Sequence, residues 1–159
     1  MKYRCLSDEE LQELEEEFKH FLISNNVFTE EWEGLNKKKD KKVKQLVEMF
    51  SDIVIEKALK NIQFLEHLTS SDIKVFRCLA DKMVLIGVVS MDNTIDFTTQ
   101  SIEELQTAPL DIFRTEKPYT KNRELEVFEL LQSGCSIVDE NRFKKLELAY
   151  AYSTKQSQN

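Results

Sequence analysis

Glycine, proline and histidine are scarce in this chain of 159 residues, which contains three glycines, two prolines and two histidines. Phosphate-binding and dinucleotide-binding loops need several closely spaced glycines, so sites of that kind are excluded. The scarcity of glycine and proline also leaves little room for long linkers. We therefore expect a single α+β domain over residues 1–152, followed by a frayed tail over residues 153–159.

Cysteine is also rare and does not occur in a motif. Cys5, Cys78 and Cys135 are odd in number, lie far apart and form no CxxC pair. This spacing excludes a disulfide framework and a zinc site, and we expect no metal and no cofactor. The sequence predicts a reduced, cytoplasmic protein.

Long apolar runs and excess positive charge are absent as well. No window approaches the 18 apolar residues of a membrane span, and the acidic N-terminal segment lacks the apolar core of a signal peptide. The 22 basic and 29 acidic residues give a net charge of −7. We therefore expect no membrane association, and nucleic acid is not an expected partner because its binders need positive fields.

The N-terminal third has the pattern of amphipathic helices. Ser7 and Glu10 form a capping-box pattern, and the helix that they begin is expected to end at Asn25-Asn26. Thr29 can cap a second helix, and a third begins near Asp40. The sequence leaves open whether residues 29–61 form one helix or two.

A change of period at Ile62 predicts β-structure. The apolar runs 72–80 and 83–91 and the segment 94–99 are expected to follow a first strand and form an antiparallel meander. A two-residue loop at Asp81-Lys82 would place Cys78 opposite Leu85 and Phe76 opposite Gly87.

The C-terminal third is less clear. We expect a short helix capped by Ser101, a surface connection over residues 107–120 with both prolines, and a helix ending at Gly134. Residues 143–152 alternate like a strand but also fit a helix, and we take the strand. The predicted class is α+β: N-terminal amphipathic helices packed on an antiparallel meander, with a later helix and a C-terminal strand.

The polar residues of the meander do not form an obvious active site. Glu66 and His67 are adjacent on a strand and must point to opposite faces, so they cannot form one acid–base pair. Cys78 is expected to be a buried structural thiol. We assign no catalytic residue, and keep as an alternative a small enzyme whose site combines the distant residues Glu66, Asp72, Lys74 and Asp96.

The most basic stretch of the chain is NKKKDKKVK, and it is a candidate binding segment. Residues 34–60 carry eight basic and four acidic groups, whereas residues 1–33 carry three and ten. The run could bind phosphate, RNA or an acidic partner, or could simply offset the acidic first helix. Its lysines are Lys37, Lys38, Lys39, Lys41, Lys42 and Lys44. Trp32 is a second candidate binding residue, as an anchor for a partner.

Several short segments resemble a known family when taken together. They are the N-terminal MKYRCLSDEELQELEEEF, Glu31-Trp32, Phe50-Ser51-Asp52, Phe64-Leu65-Glu66-His67 and Gly134-Cys135. In this order, over residues 1–150, they are similar to the segments of a small protein family found in Bacteroidetes bacteria. That protein family is classed as a domain of unknown function. The resemblance implies a bacterial, cytoplasmic origin and carries over no catalytic residues.

The leading hypothesis is therefore a non-enzymatic cytoplasmic interaction or regulatory protein, with an unidentified protein partner or a second copy of itself. The alternatives are an anion-binding or RNA-binding protein that uses Lys37–Lys44, and the small enzyme described above.

Overall fold

The computed structural model describes residues 1–91, 93, 95–101, 104–107 and 109–157. The chain divides into two compact units, Met1–Leu59 and Lys60–Asn159, and each is described by itself. Helices make up the first unit, and an antiparallel sheet with further helices makes up the second. The predicted α+β class is confirmed. The prediction that residues 1–152 form one domain stays a prediction.

Four helices form the first unit: α1 (Asp8–Glu13), α2 (Glu15–Ser24), α3 (Thr29–Lys37) and α4 (Lys41–Lys60). The capping box is confirmed, since the Ser7 side chain accepts from the amide of Glu10 and the Glu10 side chain accepts from the amide of Ser7. The predicted first helix is interrupted at Leu14. The segment 29–61 contains two helices, and the N-cap of α3 is Phe28 rather than the predicted Thr29.

The Phe50-Ser51-Asp52 segment of α4 holds the N-terminal residues of the chain in place. The buried Ser51 hydroxyl accepts from the amide of Leu6 at 2.9 Å. The Asp52 carboxylate accepts from the amides of Lys2 and Tyr3 at 2.9–3.2 Å. These bonds give this segment a structural role, because they satisfy backbone donors that no helix or sheet pairs.

The second unit is built on a five-stranded sheet. Its strands are β1 (Phe64–Leu68), β2 (Asp72–Cys78), β3 (Lys82–Ser90), β4 (Leu110–Pro118) and β5 (Ser136–Ile137), in the spatial order β4-β3-β2-β1-β5. All the pairings are antiparallel. The predicted surface connection over residues 107–120 is wrong, because most of it is β4. Its prolines lie just before the strand and at its last residue, where an edge strand tolerates them.

The β2–β3 hairpin was predicted on the correct faces but in the wrong register. Cys78 lies opposite Met83 and Phe76 lies opposite Leu85, two residues away from the predicted pairing. The hairpin closes between Leu79 and Lys82, whose backbone groups bond at 3.0 Å, so the loop residues are Ala80 and Asp81. Because the shift is even, every side chain keeps its predicted face.

One face of the sheet carries a buried core cluster of the second unit, and helix α6 (Glu140–Ser157) packs on it against β2, β3 and β4. The predicted C-terminal strand over residues 143–152 is wrong, because α6 covers this segment. The helix also includes residues 153–157 of the expected tail, and residues 158–159 lie outside the described residues. The buried members of this core are Phe64, Ile73, Val75, Val84, Ile86, Val88, Phe97, Leu105, Phe143 and Leu146.

The remaining predicted elements are partly confirmed. Residues 97–99 form a turn and residues 95–99 contain no strand, so the third predicted strand of the meander is wrong in this part. Asp92 and Thr94 lie outside the described residues. Ser101 accepts from the amide of Glu104 and precedes a 3₁₀ turn over Glu104–Thr107. Helix α5 (Arg123–Gln132) ends before Gly134, whose φ of 106° is the left-handed conformation predicted for it.

Candidate functional site

The lysine run lies at the turn between α3 and α4 in the first unit. Lys37 ends α3, Lys39 has a left-handed φ of 49°, and Lys41 begins α4. Lys42 forms an ion pair with Glu31 at 3.4 Å. All six lysines of the run are exposed: Lys37, Lys38, Lys39, Lys41, Lys42 and Lys44.

Trp32 is half-buried and contributes to the core of the first unit. Its ring contacts that of Phe18 edge-on, with 5.1 Å between the centroids. It packs against the buried residues Leu22, Val27 and Leu46. Packing of this kind positions α3 and leaves part of the ring at the surface.

The polar residues proposed for a small enzyme are divided between the two faces of the sheet. Glu66 lies on the face of Val75, whereas Lys74 lies on the opposite face. Asp72 pairs with Lys74 at 3.7 Å, and its carboxylate accepts from the hydroxyl of Thr69 at 2.6 Å. Asp96 accepts from the amide of Thr98 at 2.9 Å. The four residues therefore do not converge.

Arg123, at the start of α5, binds the ends of two strands. Its guanidinium donates to the backbone carbonyls of Ile62, Cys78 and Leu79, and Tyr119 also donates to the carbonyl of Leu79 at 2.8 Å. The guanidinium also pairs with Glu124 at 3.3 Å. This largely buried arginine thus supplies the hydrogen-bond donors that a neighbouring strand would otherwise provide to these carbonyls.

A cleft of about 660 Å³ lies beside this arginine, lined by Lys60, Arg77, Cys78, Asn122 and Glu124 among others. Burial raises the pKa of the Cys78 thiol to about 11, and burial likewise raises the pKa of Tyr119 to about 12. Both groups are protonated at neutral pH, so the cleft offers no thiolate nucleophile. It is a polar cleft next to a structural arginine.

No group of three or more histidine, cysteine, aspartate or glutamate side chains that could hold a metal ion occurs among the described residues. Over the same part of the chain, no helix is both long and apolar enough to cross a bilayer.

Strand β4 is the feature that sequence reasoning missed. It is nine residues long and forms one edge of the sheet. In the described part of the chain its one strand neighbour is β3, and residues 114–118 are all exposed. An edge strand of this length presents unpaired backbone N–H and C=O groups along its outer side. The opposite edge, β5, has two residues.

The missed signal was the apolar spacing around the prolines. Leu110 and Ile112 lie on the face covered by α6 and pack against its core, whereas Phe113 lies on the other face. The Phe113 ring covers Gly87 of β3 so closely that a Cβ built on Gly87 would be 2.2 Å from the ring Cζ. Alternating apolar residues between two prolines indicate an edge strand, and this would have identified β4.

Charged side chains run along the exposed half of β4. Glu116 is held by Lys82 at 3.0 Å and by Arg114 at 2.9 Å, and the side chains of all three are 35–39% exposed. Lys82 belongs to β3, so this group extends from β3 to the free edge. The edge thus has an ordered set of both charge signs beside its unpaired backbone.

Residues 1–151 match the model of a family of unknown function, DUF6495. No curated protein and no solved structure matches the chain.

Proposed function

Because the chain belongs to the family of unknown function DUF6495, we propose its role from its own surface: it is a non-enzymatic interaction or regulatory protein that binds a polypeptide along the outer edge of β4. We also propose that it acts in the bacterial cytoplasm. The three free cysteines, of which Cys78 and Cys135 are buried, suit a reducing compartment.

One observation carries the proposal: the nine-residue β4 is paired along one side and exposed over residues 114–118. An extended polypeptide can add to such an edge as a further strand. The main-chain hydrogen bonds then supply affinity, and alternate side chains supply specificity.

The difference in length between the two edge strands of the sheet supports this assignment. Short edge strands protect a sheet against unwanted pairing, and the two-residue β5 is of this kind. Strand β4 is much longer, and Pro118 interrupts its donors only at its last residue. The length of β4 therefore favours binding at this edge.

The experiment uses a photo-crosslinking amino acid at Thr115, the exposed centre of the charged half of β4. The matched control carries it at Ile137, which lies on the other edge and is 62% exposed. In cells that make the protein, we expect a crosslinked polypeptide from position 115 and much less from position 137. Equal yields at the two positions, or no product from Thr115, would contradict the proposal.

A second candidate function is anion binding at the lysine run. Its six exposed lysines surround the N-terminus of α4, and the first turn of that helix contains no acidic residue. Asp40, just before the helix, already caps it by accepting from the amide of Lys42 at 2.9 Å, so the lysines and not the helix N-terminus carry this candidate. We expect phosphate or RNA binding that weakens with salt and is lost in Lys38→Glu/Lys41→Glu, but not in Lys144→Glu on α6. No binding at low salt would reject this candidate.

A further inference from the structure

We propose that the polypeptide bound by β4 is a second copy of this chain, with the two β4 strands antiparallel and Thr115 on the two-fold axis between them. This inference rests on the proposed function of β4. It predicts a continuous ten-stranded sheet, because each copy contributes five strands.

Symmetry restricts how two β4 edges can meet. A two-fold axis that relates two antiparallel edge strands is perpendicular to the sheet, so both copies show the same face. Residues that lie directly opposite each other then have their side chains on the same face. The axis must therefore pass through a residue position. Strand β4 covers residues 110–118. A centre at Arg114 opposes all nine residues, and a centre at Phe113 or Thr115 opposes seven. Only these three registers oppose seven or more of the nine residues.

The register centred on Thr115 matches the charges of the strand. Arg114 of each copy lies opposite Glu116 of the other, so symmetry produces two pairs of opposite charge. Thr115 faces its own equivalent, which is a favourable cross-strand pair. On that same face Phe113 lies opposite Lys117, whose long side chain can cover the ring.

The other two registers are less favourable. With the centre at Arg114, the strand would place two guanidinium groups directly opposite each other in the middle of the interface, and only the outer Asp111–Lys117 pairs would be attractive. With the centre at Phe113, the two Phe113 rings would pair, but on the other face Arg114 would face Ile112 and Glu116 would face Leu110. Like charges opposite each other are destabilising in antiparallel pairs, and a charge opposite an apolar side chain gains no ion pair.

Within one copy, the charged side chains already have the arrangement that the Thr115 register uses. Glu116 accepts from both Lys82 and Arg114 on the face of the sheet that α6 covers. In the dimer the Arg114 and Glu116 side chains of two copies would form a square of alternating charge around the axis, with a Lys82 beside each glutamate. Little rearrangement is needed, so little side-chain entropy is lost on association.

The register is tested by disulfide formation in a Cys5→Ser background, which removes the exposed native thiol. Three single variants, Phe113→Cys, Arg114→Cys and Thr115→Cys, are oxidised and the covalent dimer is followed with time. We expect Thr115→Cys to form it fastest. Faster formation by either of the other variants would overturn the assigned register.

The dimer is tested by light scattering of the full chain over a range of concentrations. Glu116→Arg converts both attractive pairs into repulsive ones, and we expect it to weaken dimerisation about tenfold or more. The triple variant Lys82→Glu/Arg114→Glu/Glu116→Arg reverses every charge of the group and so restores opposite charges at each contact, and we expect it to recover most of the affinity. Circular dichroism checks that both variants stay folded.

Three results separate this inference from the proposed function. A chain that stays monomeric at every concentration, while Thr115 still crosslinks to a different polypeptide, would overturn the dimer and leave the interaction at β4. A monomer with no crosslink at all would overturn both. A dimer that persists in Glu116→Arg, or that the triple variant fails to restore, would show that association uses another surface.

Discussion

Glu66 of β1 and Arg142 of α6 form an ion pair with two hydrogen bonds between residues that are 76 positions apart. The Glu66 side chain is 11% exposed and that of Arg142 is 30% exposed. The pair joins the C-terminal helix to the sheet at the side nearest β5. Bidentate arginine–carboxylate pairs of this kind fix geometry as well as contributing free energy.

Loss of this pair should destabilise the second unit. We expect Glu66→Gln to lower the free energy of unfolding by about 2–3 kcal/mol, because it leaves a partly buried guanidinium without its counter-charge. Urea denaturation measures the change.

The matched control is Glu140→Gln on the same helix. Glu140 pairs with Lys144 at 3.4 Å, but both side chains are more than half exposed. Its loss should cost less than about 0.5 kcal/mol. Equal effects of the two substitutions would show that Glu66 is not held as described.

A second prediction separates the two sides of α6. Leu146 is 3% exposed and Leu148 is 72% exposed. Leu146→Ala should lower the free energy of unfolding by about 2–4 kcal/mol through a core cavity, and Leu148→Ala should change it by less than about 0.5 kcal/mol. Chemical denaturation of both variants tests this. Similar losses would favour the alternating strand that the sequence also allowed.

The α6 segment shows why part of the fold could not be predicted from the sequence. Leu146, Leu148, Tyr150 and Tyr152 alternate along the chain, and a strand would place all four on one face. The helix instead buries Phe143 and Leu146, three residues apart, and leaves Leu148 and Tyr152 exposed. Both periods were present, and only contact with the sheet decides between them.

Strands β1 to β3 could be predicted because short β-rich apolar runs are separated by turn residues, and an error of two residues in register did not change the faces. The candidate site on β4 could not be predicted from its two prolines, because proline is typical of loops as well as of edge strands. Proline excludes a strand only from the middle of a sheet. The Glu66–Arg142 pair could not be predicted, since no local pattern connects residues so far apart in the chain.

Gly87 provides the third prediction. A Cβ at this position would be 2.2–2.9 Å from three ring atoms of Phe113, so the ring must move in Gly87→Ala. We expect a loss of about 1–3 kcal/mol in the free energy of unfolding. In a Phe113→Ala background the same substitution should cost much less, and a double-mutant cycle measures the coupling.

Gly34 is the matched glycine control. It lies within α3, and a Cβ there would meet nothing within 4 Å. Gly34→Ala should therefore stabilise the protein by about 0.5–1 kcal/mol through helix propensity. If Gly87→Ala were also stabilising, the close contact between β3 and β4 would be wrong.

The fourth prediction concerns alkaline pH. Burial raises the pKa of the Cys78 thiol to about 11 from an ordinary value of 9.0, so the folded chain keeps a proton that the unfolded chain loses. The free energy of unfolding should therefore be unaffected by this group below pH 9 and should fall as the pH rises from 9 to 11. Urea titrations at several pH values measure the slope. Burial also raises the pKa of Cys135, which adds to the slope in the same direction.

Replacement of the thiol isolates its share. Cys78→Ala lowers stability at every pH by its cavity, but it should show a smaller decline between pH 9 and 11 than the parent chain. Cys5→Ala, at an exposed position, serves as the control and should decline as the parent does. An unchanged slope in Cys78→Ala would mean that the thiol ionises equally easily in the folded and the unfolded chain. The burial of Cys78 beside β3 and the carbonyl-binding Arg123 contradicts that result.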